Sequence, residues 1–366
     1  MLIIIFGIIT CVYAGVIFAA TYGWKHPLKS ANSCSLPFIS VIIAVRNEAQ
    51  TIAQTIQYLK LQDYPSHLFE VIIINDHSED ETGVILEAEC AKLPNFYTYL
   101  APDNSISKKQ AIAFAQTHAK GDYLLFTDGD CTMNQKWIST FAAHIPQNKL
   151  CFLFGAVDHI HEKKVIERFF TLDFLSLIAT QGGLANINHP YSCNAANMLI
   201  SKELATLSRN ETYASGDDIF LLHAAKKNTN THIQFIQDKN ALVYTLPPNS
   251  IKSFIQQRIR WSSKSAAYKD FDSIFIANCV YLENASIFVA FIISILYIQI
   301  LPLAITLLIA KIIIDGIFFY TTLPFFNKKR FIVLSIPFQF FYFIYITLIP
   351  IFALTKPLYW KGRRIS

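Results

Sequence analysis

The chain opens on an unbroken apolar run. Residues 2–22, LIIIFGIITCVYAGVIFAATY, carry no charge, and as a helix they are long enough to cross about 30 Å of hydrocarbon. No basic stretch precedes the run, it is longer than the apolar part of a secretory signal, and Trp24, Lys25 and Lys29 follow it like an interfacial stop. The pattern therefore predicts an uncleaved transmembrane anchor over 1–23. Beyond it the periodicity shortens. PFISVIIAV (37–45), FEVIIIND (69–76), a short stretch near FYTYLA and GDYLLFTDGD read as strands. NEAQTIAQTIQYLKLQ (47–62), DETGVILEAECAKL and SKKQAIAFAQTHA, which lie between them, have the apolar spacing of helices. That alternation predicts an α/β domain built on a mostly parallel, doubly wound sheet. From 273 long apolar runs return. The first, continued to about Phe326, holds two spans meeting near Pro302, and 331–354 holds a third, unless Pro337 and Pro350 make that last run re-entrant.

Composition sharpens this division. With 53% hydrophobic residues in 366, the chain is too apolar for an ordinary soluble domain and too charged in its middle to be all membrane. Residues 327–366 hold seven Lys or Arg and no Asp or Glu, more than the net +5 of the whole chain, so the rest is net acidic. The basic excess is juxtamembrane, and a nucleic-acid partner loses its main support. Lys25 and Lys29, with Lys328, Lys329 and Arg330, predict an integral protein of the plasma or inner membrane whose middle domain and third loop are cytoplasmic. Three C-terminal spans then leave the basic tail, 356–366, on the far side against the same rule. Lys311 and Asp315 lie four apart and stack on one helix face, which predicts a structural ion pair at membrane depth. The seven cysteines form no CxxC pair and have no His at metal spacing, as expected in a reduced compartment without zinc site or disulfide framework.

Three of the strands end in polar residues: Arg46-Asn47-Glu48, Asn75-Asp76 and Asp128-Gly129-Asp130. Ligands of such sheets bind beyond the carboxyl ends of the strands. Asp128 and Asp130, with Gly129 relaxing the backbone between them, can present oxygens to a hard divalent cation that bridges to phosphate. A solvated turn accounts for the triplet alone equally well. Ser78 and Asp80 suit a turn and a helix cap, which leaves Asp76 for a ligand. ASGDDIFLLHAAKK places Asp217 and Asp218 at the opening of a helix; capping explains one of them, and the other can accept a proton from an attacking hydroxyl. In SFIQQRIRWSSK (253–264), Gln257, Arg260, Trp261 and Lys264 share one helix face, a flat platform with donors for oxygen-rich groups. An amphipathic helix against the membrane surface follows from the same pattern.

In order and spacing, VIIAVRNEAQTI, INDHSEDET, SKKQAIAFAQTHAKGDYLLFTDGDC, CNAANMLISKEL, SGDDIFLL and QQRIRW resemble a membrane-anchored family 2 glycosyltransferase of GT-A fold. The likeness covers about 37–265, and the C-terminal helices over 273–355 resemble those of membrane-bound, synthase-like members. The resemblance implies transfer of a sugar, with inversion, from a nucleotide-sugar such as a UDP-sugar to a lipid or polysaccharide acceptor at the bilayer. It implies that Glu48 and the turn around it line the nucleotide site, that Asp76 contacts the base, and that Lys108 or Lys109 touches the nucleotide. Asp128 and Asp130 match the DxD motif, Asp130 as the contact of Mn²⁺ or Mg²⁺ and Asp128 nearer the sugar or ribose. Asp218 matches the second residue of the family's ED pair, the catalytic base, with Asp217 before it. Gln257, Arg260 and Trp261 match QxxRW, beside acceptor and diphosphate. Three departures stand out: Asn75 where an Asp is usual, Asp217 where a Glu is usual, and fewer spans than the long polymer synthases.

Two other classes compete. DGDCT also fits the DxDxT of a haloacid-dehalogenase-like phosphatase, with GDD as its acidic motif. That family places its nucleophile after an early strand, and Asp76 and the QxxRW helix are then left without a role. A transporter or membrane scaffold calls for polar residues inside the spans, where Glu283, Lys311 and Asp315 are nearly all there is. The glycosyltransferase reading makes one geometric demand: Asp76, Asp128, Asp130 and Asp218 gather around a single cleft that opens toward the bilayer beside Trp261.

Overall fold

Apolar, largely β-branched runs at 39–45 and 69–75 form strands β1 (Ile39–Val45) and β2 (Phe69–Asn75), buried along almost their whole length. Strands covered on both faces read as continuous apolar runs, and these do. The structure, a computed structural model, describes residues 2–29, 36–103, 107–206, 217–355, 359–360 and 363–364. Further strands are β3 (Phe96–Leu100), β4 (Tyr123–Phe126), β5 (Thr132–Met133), β6 (Leu150–Gly155), β7 (Val157–His159), β8 (Met198–Ser201), β9 (Thr231–Ile236) and β10 (Val243–Thr245). The helices in chain order are α1 (Leu2–Lys25), α2 (Ile52–Lys60), α3 (Thr82–Cys90), α4 (Lys108–His118), α5 (Trp137–Ala143), α6 (Val165–Ala185), α7 (Asp217–Lys227), α8 (Ile251–Ser262), α9 (Phe271–Leu296), α10 (Leu301–Thr322) and α11 (Ile332–Thr355).

Chain contacts divide the molecule into two units, 27–161 with 192–246 and 359–366, and 1–26 with 162–191 and 247–358. Segments 162–191 and 247–265, within the stretch expected to form the catalytic domain, thus group with the long apolar helices.

The first unit holds a seven-stranded sheet in the order β3-β2-β1-β4-β8-β6-β9 and a small sheet β5-β10-β7. β1 runs parallel to β2 and β4, β2 to β3, and β6 to β9, whereas β8 is antiparallel to both its neighbours. This is the expected mostly parallel α/β sheet. Helices α2, α3 and α4 make the crossovers that the periodicity predicted. One boundary moved: the helix expected from 47 begins at Ile52. Asn47 takes a left-handed φ of 52°, a conformation Asn tolerates. The first helical bond, from Ile52 N–H to the Glu48 carbonyl, forms only after that turn.

In the second unit α1, the segment 298–322, the segment 329–355 and α9 are each long and apolar enough to cross a membrane. Pro302 sits in the first turn of α10, where its missing N–H costs nothing. α11 runs unbroken through Pro337 and Pro350, so the last apolar run is one helix and not a re-entrant hairpin. Trp24 packs on Phe325 and Phe326 with ring centroids 5.4 and 5.9 Å apart, and Lys328 pairs with Glu162 at 3.2 Å. The end of α1 and the loop after α10 therefore lie at one end of this bundle. A Cβ on Gly23 would overlap the Gly183 carbonyl, so α1 and α6 cross backbone to backbone. Deeper in the bundle the expected Lys311–Asp315 pair forms and is larger than a pair. Asp315 also accepts from the Tyr13 hydroxyl at 2.6 Å and from the Gln339 amide at 2.7 Å, while Thr10 donates to Glu283 at 2.9 Å.

Candidate active site

Parallel pairing sets the site. The register aligns Val45 with Asn75 and Ile42 with Phe126, so the chain leaves β1, β2 and β4 at one sheet edge. There the loop after β1 is stitched to the loop after β2. Arg46, 5% exposed, donates to the carbonyls of Asp76 at 2.9 Å and His77 at 2.6 Å and to the Glu79 carboxylate at 2.6 Å. Asn47 N–H donates to Ser78 Oγ, Glu48 N–H to Thr82 Oγ1 and Ala49 N–H to Asp80 Oδ2, at 2.9–3.1 Å. Ser78 and Asp80 are thereby absorbed into loop structure, the turn their spacing predicted, whereas the cap position of α3 is taken by Glu81, without a side-chain cap bond. Partial burial pushes the Asp80 carboxyl up, but the Thr82 hydroxyl and the N–H groups of Thr82 and Ala49 outweigh it and hold the group below its ordinary value. Asp76 itself has no exposed surface, and its N–H donates to the Val45 carbonyl at 2.8 Å.

Gly129 has a different reason from the expected one. Its φ lies outside the left-handed region, and a Cβ there would stand 2.5 Å from Val45 Cγ1 and 3.4 Å from Glu48 Cγ. Glycine is required by close approach, and that approach brings Glu48 against the Asp128-Gly129-Asp130 turn. Thr51 donates to the Glu48 carboxylate at 3.2 Å, and Thr55 of α2 donates to the Gly129 carbonyl at 2.9 Å. Asp128 forms an ion pair with Lys108, the first residue of α4, each about one-third exposed. Of the two lysines left open by the sequence, Lys108 is the one on this carboxylate; Lys109 follows it, half-buried. Asp130 accepts from the Thr245 hydroxyl of β10 at 3.0 Å. Cys131 is buried, and burial followed by the charges of Asp130 and Asp128 pushes its thiol well above the ordinary range.

Asp218 arrives at the same edge by another route. Its carboxylate accepts from Ala195 N–H at 3.3 Å and Ile219 N–H at 3.0 Å. Ala195 lies three residues before Met198, which pairs with Phe126 across the antiparallel β4–β8 ladder. The amino end of β8 therefore meets the carboxyl end of β4. Glu48, Asp76, Asp128, Asp130 and Asp218 thus share one edge of one sheet. Asp217 opens α7, and its side chain lies outside the described residues. Among the described residues no three His, Cys, Asp or Glu stand close enough to enclose a metal ion. The donor set is nevertheless hard carboxylate oxygen, which suits Mg²⁺ or Mn²⁺ completed by oxygens of a bound ligand.

In the second unit, Gln257, Arg260 and Trp261 lie on α8 as expected, all half-buried. The buried cation of this helix is Arg258, which the helical face read from sequence passes over. Its guanidinium makes a two-pronged ion pair with Asp173 of α6, and Tyr345 of α11 donates to the other carboxylate oxygen. Arg258 also donates to Gln257 Oε1 at 2.9 Å and packs 4.3 Å from the Trp261 ring centroid and 4.6 Å from that of Phe254. The available signal was Asp173, a lone acid inside an otherwise apolar turn of α6.

Residues 40–199 match the family model described as glycosyl transferase family 2. Over 104 residues the chain is 33% identical to the glycosyltransferase AglE of Haloferax volcanii, covering 28% of this chain and 34% of that protein. Over 78 residues it is 40% identical to the beta-monoglucosyldiacylglycerol synthase of Trichormus variabilis, covering 21% of this chain and 16% of that one. These matches span about a third or less of the curated relatives' length. A solved structure, the mannosyltransferase PcManGT from Pyrobaculum calidifontis in complex with GDP-Man and Mn²⁺, aligns with a TM-score of 0.61 at 17% identity, covering 97% of this chain and 99% of that one. At that identity the likeness establishes the fold.

Proposed function

We propose that the chain, whose residues 40–199 match the glycosyl transferase family 2 model, is a membrane-anchored, metal-dependent, inverting glycosyltransferase that moves a sugar from a UDP-sugar to a lipid or polysaccharide acceptor. The observation that carries the reading is the gathering of Asp76, Asp128, Asp130 and Asp218, from three distant stretches of chain, at one sheet edge. Names of relatives support the two acceptor classes: one makes a glycolipid and another, TarS of Staphylococcus aureus, glycosylates a poly(ribitol-phosphate). The Mn²⁺ and nucleotide-sugar in PcManGT support the cofactor and donor classes. In this proposal four helices span the membrane, with 27–161 and 192–246 on the cytoplasmic side.

The roles follow from the chemistry of each group. Asp76 and Glu48 line the nucleotide site, Asp128 faces the sugar or ribose, and Lys108 supplies positive charge to the donor, with Lys109 beside it. Asp130, with Asp128 near it, would hold a divalent cation, which when bound would supply positive charge against the nucleoside diphosphate. Asp218 accepts the proton of the acceptor hydroxyl as its oxygen bonds to the anomeric carbon. The bond from that carbon to the diphosphate breaks on the opposite side, which inverts the centre. Such a base contributes about 10²- to 10⁴-fold. Gln257, Arg260 and Trp261, with Asp217 near the base, serve the acceptor and the diphosphate.

The reading is tested by isothermal titration of the purified protein with UDP and GDP, with and without Mn²⁺, followed by product analysis on a panel of nucleotide sugars with native lipid extract. Binding of nucleotide only together with Mn²⁺, and loss of both with Asp130→Asn, is the expected result. Nucleotide binding indifferent to Mn²⁺ and to Asp130 overturns the proposed site.

A further inference from the structure

Between Gln257 and Trp261 lies a residue whose environment is more constrained than either. We propose that Arg258 is the positioning residue of the α8 motif, a buried guanidinium anchored by Asp173 and Tyr345 that sets the side chains of Gln257 and Trp261. This rests on the reading that Gln257, Arg260 and Trp261 serve the acceptor and diphosphate.

Arg258 is 6% exposed, and a buried guanidinium persists only where its charge and its donors are matched. Asp173 supplies the matching charge and takes Nε at 2.6 Å together with Nη2 on one oxygen, while Tyr345 occupies its second oxygen. Both carboxylate oxygens are therefore engaged, and the carboxylate cannot swing without breaking bonds on two helices. The remaining arm, Nη1, reaches Gln257 Oε1 and so turns the amide nitrogen of Gln257 the other way. The guanidinium faces stack: Trp261 lies 4.3 Å away and Phe254 4.6 Å, and Phe254 in turn stacks on Phe170 of α6 at 4.3 Å and 11°. Planar stacking combined with forked hydrogen bonding is open to arginine and not to lysine. One side chain thus touches both ends of the motif, and its anchor includes a hydroxyl from α11, a helix apolar enough to span the membrane. A plain helix anchor would need the Asp173 pair alone. The contacts to Gln257 and Trp261 are what make Arg258 a setter of side-chain geometry.

The test uses full-length protein in detergent, with release of nucleoside diphosphate from UDP-GlcNAc or GDP-mannose, whichever turns over, in the presence of native lipid extract. Displacing the motif by about 1 Å predicts a kcat loss of about 10²-fold for Asp173→Asn and Arg258→Lys and about 10-fold for Tyr345→Phe. On a Trp261→Ala background Tyr345→Phe adds little further loss, because the side chain through which it acts is gone. Should Asp173→Asn fail to fold, Tyr345→Phe decides. The proposal is overturned if kcat is unchanged or if Tyr345→Phe multiplies in full on the Trp261→Ala background. Trp261→Ala that turns over like the native protein instead refutes the reading of the motif itself, and this proposal with it.

Discussion

Gly129→Ala probes the site through the smallest available change. The new methyl would stand 2.5 Å from Val45 Cγ1, whereas carbon atoms rest about 3.5–4.0 Å apart, so the two segments must part by about 1 Å. β1 is paired on both sides, with β2 and β4, and yields less than the turn. The displacement therefore falls on residues 128–130 and carries both carboxylates with it. Overpacking of this kind costs about 1–3 kcal/mol of stability, and a shift of about 1 Å near reacting groups lowers the rate by up to about 10²-fold. The assay is nucleoside diphosphate release, with thermal unfolding alongside. Truncating the obstructing side chain is the decisive control. In Val45→Ala the clash is removed, so adding Gly129→Ala there should cost less than about a third of the rate, non-additive as for side chains in contact. Gly129→Ala with native activity, or a loss of the same size with Val45 truncated, refutes the steric account of the turn.

Asp218→Asn should lower transfer by about 10²- to 10⁴-fold while nucleotide affinity by titration stays close to native; joint loss of both contradicts the role of base. Asp80 tests the stitching of the two loops. Its carboxyl is held below the ordinary 3.8, so its stabilisation is present above that value and disappears as pH falls through the lower folded one. The difference in unfolding temperature between native protein and Asp80→Asn should therefore shrink as pH drops below about 3.8, and a difference that grows there would contradict it. In the helix bundle, Lys311→Met leaves Asp315 without its cation and should cost about 3–5 kcal/mol, with much of the loss recovered when Asp315→Asn is added. Equal thermal stability of the single variant and the native protein would show that the buried pair is not needed.

Much of this molecule is legible locally, because a strand repeats every two residues and a helix every 3.6, and both periods are written in neighbouring residues. The spans, the crossovers α2 to α4 and the three acidic strand ends could be read in that way, as could the ion pair of Lys311 and Asp315, one helical turn apart. Even Asp218 at the opening of α7 belongs to this class. What needed the fold are the relations between residues far apart in sequence, since periodicity carries no information about partners across a sheet or a bundle. Gly129 is glycine because of Val45. Lys108 meets Asp128, and β8 runs backward so that Ala195 can hold Asp218. Arg258, Asp173 and Tyr345 lie 85 and 172 residues apart, and only packing makes one buried group of three side chains that the chain's own pattern leaves unremarkable.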